Sequence, residues 1–335
     1  MVNLKNIKRG ILGIPRYFLI RLPVYILVNL FSSGKHFSLV ARLLTLHCFL
    51  FGHMIKKYYI SETACFLSRK IIGFENDNFI PRYLLNKLMS SYIQQMMVKH
   101  PWRSAYNLLS QCHCEKTEHD LHQVKLFLCT HTGDYWLLIL NIARQLCHTN
   151  RTLIVPIYQK ITPQDLEVYR KIGFEGVKVQ FVNIHEKRSL LNLIRWLKND
   201  DYVVAIFYDL ACYIGGVYNG SVRPVTLFNK KAFITTGILS LADKLDIQAS
   251  LVSCNYNEQE KNYCINFSEP FNASLENEHR LVTGLEKHLA CFPYQWHFIN
   301  NIDCYYHYPY SIISGHYRRL TEQYQGLSAK YQGNG

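Results

Sequence analysis

The sequence predicts an α/β fold with a mostly parallel central sheet flanked by helices, preceded by an N-terminal helical segment that associates with a membrane. Short apolar runs alternate with amphipathic stretches of ten or more residues through the middle of the chain, a pattern typical of strands joined by crossover helices. Residues 60–110 have helical spacing and few β-branched runs. Of the 335 residues, 49% are apolar, so the chain can bury a sizeable core.

The N-terminal 60 residues combine apolar runs with basic residues. The first run, YFLIRLPVYILVNLF, is interrupted by Arg21 and Pro23, and the second, Phe37 to Met54, contains Arg42. A spanning helix needs about 20 predominantly apolar residues, so we expect two interfacial helices on an anionic membrane surface. The alternative is a pair of buried helices in a soluble protein.

The α/β domain is predicted over residues 61–300, with a C-terminal extension and loose tail over 301–335. Its strands are predicted at 124–130, 152–158, 177–183, 202–209, 225–229, 247–256 and 262–270. Its helices are predicted at 134–146, 163–173, 189–199, 232–245 and 276–292.

The charge and the cysteines limit the function classes. The formal net charge is +13, which suits an anionic membrane or an acidic protein partner, and no nucleic-acid-binding motif is present. Eleven cysteines without a regular framework indicate reduced thiols in a cytoplasm-facing protein. Cys112, Cys114, His119 and His122 are zinc-ligand types at irregular spacing, so we predict a polar loop there and no metal site.

One polar stretch lies between two apolar runs. Strand 124–130 leads into His131, and Asp134 follows at the start of the next helix. Ligands of α/β sheets gather at the carboxyl ends of strands. A carboxylate beside a histidine fixes its tautomer and strengthens the other ring nitrogen as a base. We therefore predict His131 as a general base, oriented by Asp134.

Other interpretations of this stretch stay open. The Asp134 carboxylate can interact only with the positive end of the helix dipole. Thr132 can be the N-cap of the helix. His131 can be a buried histidine with satisfied hydrogen bonds. Cys129 would share a face with His131 if the strand continued, which would suit a cysteine-dependent hydrolase.

Three segments together resemble a known family. They are LFLCTHTGDYW, LIRWLKNDDYVVAIFYDLACYIGG and PYQWHFI, and their order and spacing are similar to those of the lipid A biosynthesis (late) acyltransferases. The similarity covers roughly residues 125–300. It implies a fold like that of glycerolipid acyltransferases and a location on the cytoplasmic face of an inner membrane.

The chain departs from the family's catalytic motif, which is a histidine, four residues and then an acid. Five positions after His131 stands Trp136, and the nearby acid is Asp134. This sequence is therefore a divergent member with an altered motif. There are three alternatives. The chain transfers an acyl group with His131 and Asp134 as its catalytic pair, it transfers an aminoacyl group to a lipid, or it is a non-catalytic member of the family.

The resemblance implies transfer of an acyl group from a thioester, on acyl carrier protein or coenzyme A, to a hydroxyl or amine of a lipid. The thioester is a co-substrate, and no cofactor is expected. Arg170, Arg223 and, more weakly, Lys160 are candidates for binding phosphate, and Asp209 for shaping the site at a strand end. Backbone N–H groups after Gly133 are a candidate source of oxyanion stabilisation.

Overall fold

The structure is a computed structural model, and it places most of the chain. The residues it describes are 15–31, 35–74, 78–99, 106–114, 121–158, 169, 176–184, 188–210 and 222–306.

The predicted mostly parallel sheet is confirmed. Ten strands are described: β1 Cys112–Cys114, β2 Leu126–Cys129, β3 Thr152–Ile157, β4 Val179–Asn183, β5 Tyr202–Phe207, β6 Val222–Leu227, β7 Lys230–Thr235, β8 Gln248–Asn257, β9 Asn262–Phe267 and β10 Phe271–Asn272. The main sheet has the order β1-β9-β8-β2-β5-β3-β4, with β10 beside β8. Every neighbouring pair from β8 to β4 is parallel, whereas β9 and β10 run antiparallel to β8.

Helices cover both faces of this sheet. They are α1 Leu22–Leu30, α2 Phe37–Lys56, α3 Glu62–Ile72, α4 Phe79–Lys99, α5 Tyr135–Gln145, α6 Ser189–Lys198, α7 Gly237–Asp243 and α8 Glu278–Cys291. Alternate residues of each central strand face opposite ways. In β2, Phe127 and Cys129 join the core that contains α4 and α5, while Leu126 and Leu128 join a second core with α6 and α7.

The N-terminal helices pack on the rest of the chain through α4. Val24 of α1 and Leu44 of α2 are fully buried in the same core as Tyr92 of α4. Within the described ranges, α2 is the one helix long and apolar enough to cross a membrane by length and composition. The division of the chain at residues 60 and 300 stays a prediction.

The structure differs from the sequence prediction in two stretches. Cys112–Cys114, predicted to lie in a polar loop, form strand β1, which pairs with β9 at the edge of the main sheet. Residues 232–245 were predicted as a helix, but β7 occupies the first part of that stretch and pairs with β6 as a separate two-stranded sheet. The short helix α7 begins only at Gly237. The predicted helix at 163–173 and the C-terminal tail lie almost wholly outside the described residues.

Candidate active site

His131 and Asp209 meet because of the sheet's register. β2 and β5 are parallel neighbours, and Cys129 pairs with Phe207 at their carboxyl ends. Two residues beyond this pair, the chains reach His131 and Asp209, so both side chains emerge at the same edge of the sheet. This is the edge at which α/β folds bind ligands.

Asp209 is fully buried and holds His131 at two points. The Nδ1 atom of His131 lies 2.7 Å from Asp209 Oδ1, and the His131 backbone N–H donates to Oδ2 over 2.8 Å. The indole Nε1–H of Trp296 donates to the same Oδ2 over 2.9 Å, and the Tyr305 hydroxyl donates to the Asp209 carbonyl over 2.6 Å. These contacts fix the carboxylate in one orientation.

The pairing determines the tautomer of His131. An ionised carboxylate only accepts hydrogen bonds, so Nδ1 carries the proton and Nε2 keeps its lone pair. The side chain is 20% exposed, and no residue in the described part of the chain has a hydrogen bond to Nε2. His131 therefore presents a base to the sheet edge.

The predicted pairing of His131 with Asp134 is wrong. Asp134 is the buried N-cap of α5, where Oδ1 accepts from the Leu137 backbone N–H over 2.9 Å and Oδ2 accepts from the Ser90 hydroxyl over 2.8 Å. Burial raises the pKa of Asp134 to about 6. The carboxylate is turned into the α4–α5 core, because capping the helix start satisfies it there.

Gly133 makes the turn between His131 and the cap possible. Its φ is +60°, in the left-handed region that favours glycine, and a Cβ there would lie 2.5 Å from the Cys254 carbonyl oxygen. The Gly133 N–H donates to the Gln295 carbonyl over 3.1 Å. That N–H and the capped Leu137 N–H are already paired, so neither is the predicted oxyanion donor.

The element Pro293–Gln295 and the residues after it lock this turn to the sheet. The Gln295 side chain accepts from the Tyr256 backbone N–H and donates to the Tyr256 carbonyl, at 2.7 and 2.8 Å. The His297 N–H donates to the His131 carbonyl over 2.8 Å, and Thr132 forms a β-bridge with Trp296. The motif PYQW thus positions the His131 turn and supplies the Trp296 donor.

A cavity of about 500 Å³ lies at the carboxyl ends of β3, β4 and β5, on the sheet face that α6 and α7 cover, and His131 is not among its lining residues. Phe207 lines it, and the Phe207 ring is 4.2 Å from the His131 ring, centroid to centroid. Its wall is largely apolar and includes Val182, Ile184, Leu193, Trp196 and Ile238. Phe207 therefore belongs to the cavity lining and also packs against His131, while the residues of α6 and α7 that line the cavity lie on the other face of the sheet.

The other predicted site residues do not join this constellation. Arg223 lies on β6, where its Nε is 3.9 Å from Glu278, and it has no described contact with His131 or Asp209. Lys160 and Arg170 lie outside the described residues. Asp209, which the sequence analysis names as shaping the site at a strand end, lies beside His131 as its hydrogen-bond partner, and its role toward a substrate stays a prediction.

Cys129 is not placed as a nucleophile. Its side chain is fully buried, and burial raises the pKa of its thiol well above the ordinary value. Its Sγ lies 3.8 Å from the Phe127 carbonyl, inside the strand. A protonated thiol without access to solvent is unreactive.

Sequence reasoning missed two basic residues close to His131. The His297 ring centroid is 6.3 Å from that of His131, and Lys87 Nζ is 3.1 Å from His297 Nδ1. His297 directly follows the PYQW element, which was a signal that its side chain would lie near the site. Lys87 lies mid-helix in α4 and carries no such signal.

No protein-family model matches the chain, and no curated protein matches it. Among solved structures, the chain is similar to the 1-acyl-sn-glycerophosphate (LPA) acyltransferase PlsC from Thermotoga maritima. The match has a TM-score of 0.32 and 17% sequence identity, and it covers 76% of this chain and 96% of that one. Similarity at this level leaves the activity to be inferred from the residues of the site.

Proposed function

We propose that this chain is an acyltransferase in which His131 is the general base and Asp209 its orienting carboxylate. The observation that carries the proposal is the 2.7 Å contact between His131 Nδ1 and a buried carboxylate, at the carboxyl edge of a parallel sheet. This arrangement leaves Nε2 free to accept a proton.

The reaction follows from the position of that proton acceptor. A hydroxyl or amine of the acceptor gives its proton to His131 Nε2 as its oxygen or nitrogen attacks the thioester carbonyl. The tetrahedral intermediate then collapses, the carbon–sulfur bond breaks, and the departing thiolate takes the proton back from Nε2. Asp209 stays ionised throughout and stabilises the imidazolium that forms in between.

The donor is proposed to be an acyl thioester of acyl carrier protein or coenzyme A. The net charge of +13 suits an acidic carrier protein and phosphate groups alike. The resemblance to lipid A acyltransferases points to a lipid acceptor, and an aminoacyl donor remains the alternative because the family's acid position holds Trp136.

The enzyme is proposed to work at the cytoplasmic face of an inner membrane. Leu39, Leu43, Leu46, Leu50 and Met54 recur every three or four residues along one side of α2, Phe49 lies beside them, and all six are exposed. This spacing defines one apolar face, which we call the α2 face. Exposed basic residues flank it, so anionic lipid is a fitting partner.

The test is transfer by the purified full-length chain on mixed-lipid vesicles. Labelled acyl-CoA, acyl carrier and aminoacyl thioesters serve as donors, and label is followed into lipid and into free acid. We expect His131→Ala to lower transfer by about 100-fold or more, the size of a general-base contribution. His279→Ala is the matched control, because His279 is an exposed histidine on α8.

Three outcomes oppose the proposal in different ways. Equal transfer by the His131 and His279 variants excludes His131 as the base. Label that appears only as free acid indicates a thioester hydrolase. No turnover with any donor, in a folded protein, supports a non-catalytic membrane-associated role.

A further inference from the structure

A second polar pair lies beside His131, formed by residues from distant parts of the chain. Lys87 of α4 and His297 are 210 positions apart, and Lys87 Nζ lies 3.1 Å from His297 Nδ1. The buried Phe298 ring packs edge-on against both His131 and His297, with centroids at 4.6 and 5.4 Å. The pair is therefore part of the same site wall.

The hydrogen-bonding roles in this pair follow from its chemistry. An ammonium group can only donate, so His297 Nδ1 accepts from Lys87 and its Nε2 carries the ring proton. Lys87 also lies over the Tyr83 ring, with Nζ 5.3 Å from the centroid. This leaves further N–H donors on Lys87 and one on His297, which is exposed at the surface.

The described part of the chain supplies no carboxylate that pairs with the positive charge of Lys87 and His297. Within the described ranges, no Asp or Glu forms a salt bridge with Lys87 or His297. Asp209, the acid of the site, is held by His131 and Trp296. Desolvation lowers the pKa of Lys87 to about 8. Desolvation, and then the charges of Lys87 and His131, lower the pKa of His297.

We propose that Lys87 and His297 form a subsite for a phosphate group of the substrate, next to the base His131. A lysine that is partly buried without a counter-ion gains most from an anion that supplies one. Phosphate offers several acceptor oxygens, which match the remaining N–H groups of Lys87 and the Nε2–H of His297. The inference rests on the proposed acyl transfer. It adds the position at which the negative charge of the substrate is bound.

Two substrates of that reaction carry phosphate. The donor has it on the pantetheine arm of a carrier protein or coenzyme A, and a phosphorylated lipid acceptor has it beside the hydroxyl that reacts. In the donor the phosphate and the thioester are at opposite ends of the pantetheine arm, whereas in the acceptor the phosphate is close to the reacting group, so a subsite beside His131 fits the acceptor better, although the subsite chemistry is the same for both. The sources are separated by offering each one with its unphosphorylated counterpart.

The experiment measures equilibrium binding without turnover. The first probe pair is 4′-phosphopantetheine and pantetheine. The second is a soluble short-chain phosphatidic acid and the matching diacylglycerol. Wild type is compared with Lys87→Gln, His297→Gln and the double variant. Lys99→Gln is the control, because it removes the same charge from the far end of α4.

We expect the phosphorylated member of one pair to bind at least about tenfold more weakly to the double variant than to wild type or the Lys99 control. Its neutral counterpart should bind all of them equally, and the affected pair identifies the source. Equal loss for both members of a pair, or no loss for either, would overturn the subsite. Lys87-dependent binding in a chain without transfer activity would instead overturn only the proposed function.

Discussion

The carboxylate of Asp209 accepts hydrogen bonds from both the backbone N–H and the ring Nδ1 of His131, at 2.8 and 2.7 Å. This double contact fixes the backbone position and the ring orientation of His131 together. Such a bond is the usual device for holding a catalytic imidazole in one tautomer. The acid follows the neighbouring strand β5, which is parallel to β2.

Replacement of Asp209 by Asn is expected to lower kcat/KM for acyl transfer by about 100-fold or more. The amide can donate to the ring as well as accept from it, so the tautomer with a free Nε2 lone pair is no longer enforced. Asp134→Asn is the control, since an Asn at the N-cap still accepts from Leu137. That variant should stay within a few-fold of wild type, and the reverse ranking would reinstate Asp134 as the orienting acid.

Gly133→Ala should destabilise the fold by more than its positive φ alone explains. Its Cβ would lie 2.5 Å from the Cys254 carbonyl oxygen, so the His131 turn must move away from β8. Gly73→Ala is the matched control, because Gly73 has a φ of +79° and nothing within 4 Å of its added Cβ. We expect the control to lose about 1 kcal/mol of unfolding free energy and Gly133→Ala to lose at least about 2 kcal/mol. Equal losses in chemical denaturation would show that the close approach to Cys254 is not tight.

His288 should make the folded state sensitive to acid. It is buried in α8 with its Nε2 unpartnered, and desolvation lowers its pKa to about 4, with the Asp209 charge acting in the opposite direction. An unfolded histidine takes up its proton near pH 6.5. As the pH falls from about 6.5 to 4, the unfolded chain therefore binds more protons than the folded one, and stability is lost.

His288→Leu removes that loss. Between pH 7.5 and 4.5, the free energy of unfolding of the variant should improve relative to wild type by roughly 2–3 kcal/mol. His279→Leu, on the exposed side of the same helix, should track wild type at both pH values. A constant difference between His288→Leu and wild type across the range would mean that His288 titrates normally in the folded protein.

The strands, the position of His131 at a strand end and the helix start were predictable from the sequence because they depend on local patterns. The run Leu126–Cys129, the glycine turn and the acid at the helix start are contiguous, so a strand, His131 and a capped helix follow from them. The partner of His131 was not predictable in this way, since Asp134 is the acid closest in sequence and Asp209 the acid closest in space. Choosing between them requires knowing that β2 and β5 are neighbours, and that order is set by the packing of the whole sheet.

Lys87 and His297 illustrate the same limit more strongly. A lysine in the middle of a helix usually faces solvent, and nothing in the periodicity of α4 distinguishes Lys87. Lys87 lies beside His297 because α4 packs against the Pro293–Gln295 element. The two residues are 210 positions apart in the sequence. Contacts between residues so far apart in the sequence form only when the whole core is assembled.

The α2 face provides the test of membrane association. Leu46 and Phe49 are 54% and 80% exposed, so their replacement by Ser removes apolar surface that the fold does not use. Each side chain is expected to contribute 1 kcal/mol or more, roughly, on burial in lipid, and the double variant should therefore bind anionic vesicles at least about tenfold more weakly. Leu191→Ser with Tyr106→Ser is the control, since both are exposed apolar side chains elsewhere on the surface.

Salt separates the two contributions to that binding. Arg42 and Lys57 are exposed on and beside α2, and their attraction to anionic lipid weakens as ionic strength rises, whereas the apolar contribution persists. Sedimentation with vesicles at low and high salt should thus show wild type retaining part of its binding at high salt and the Leu46/Phe49 variant losing nearly all of it. If the variant and its control sediment alike at both salt concentrations, the α2 face is not the membrane contact.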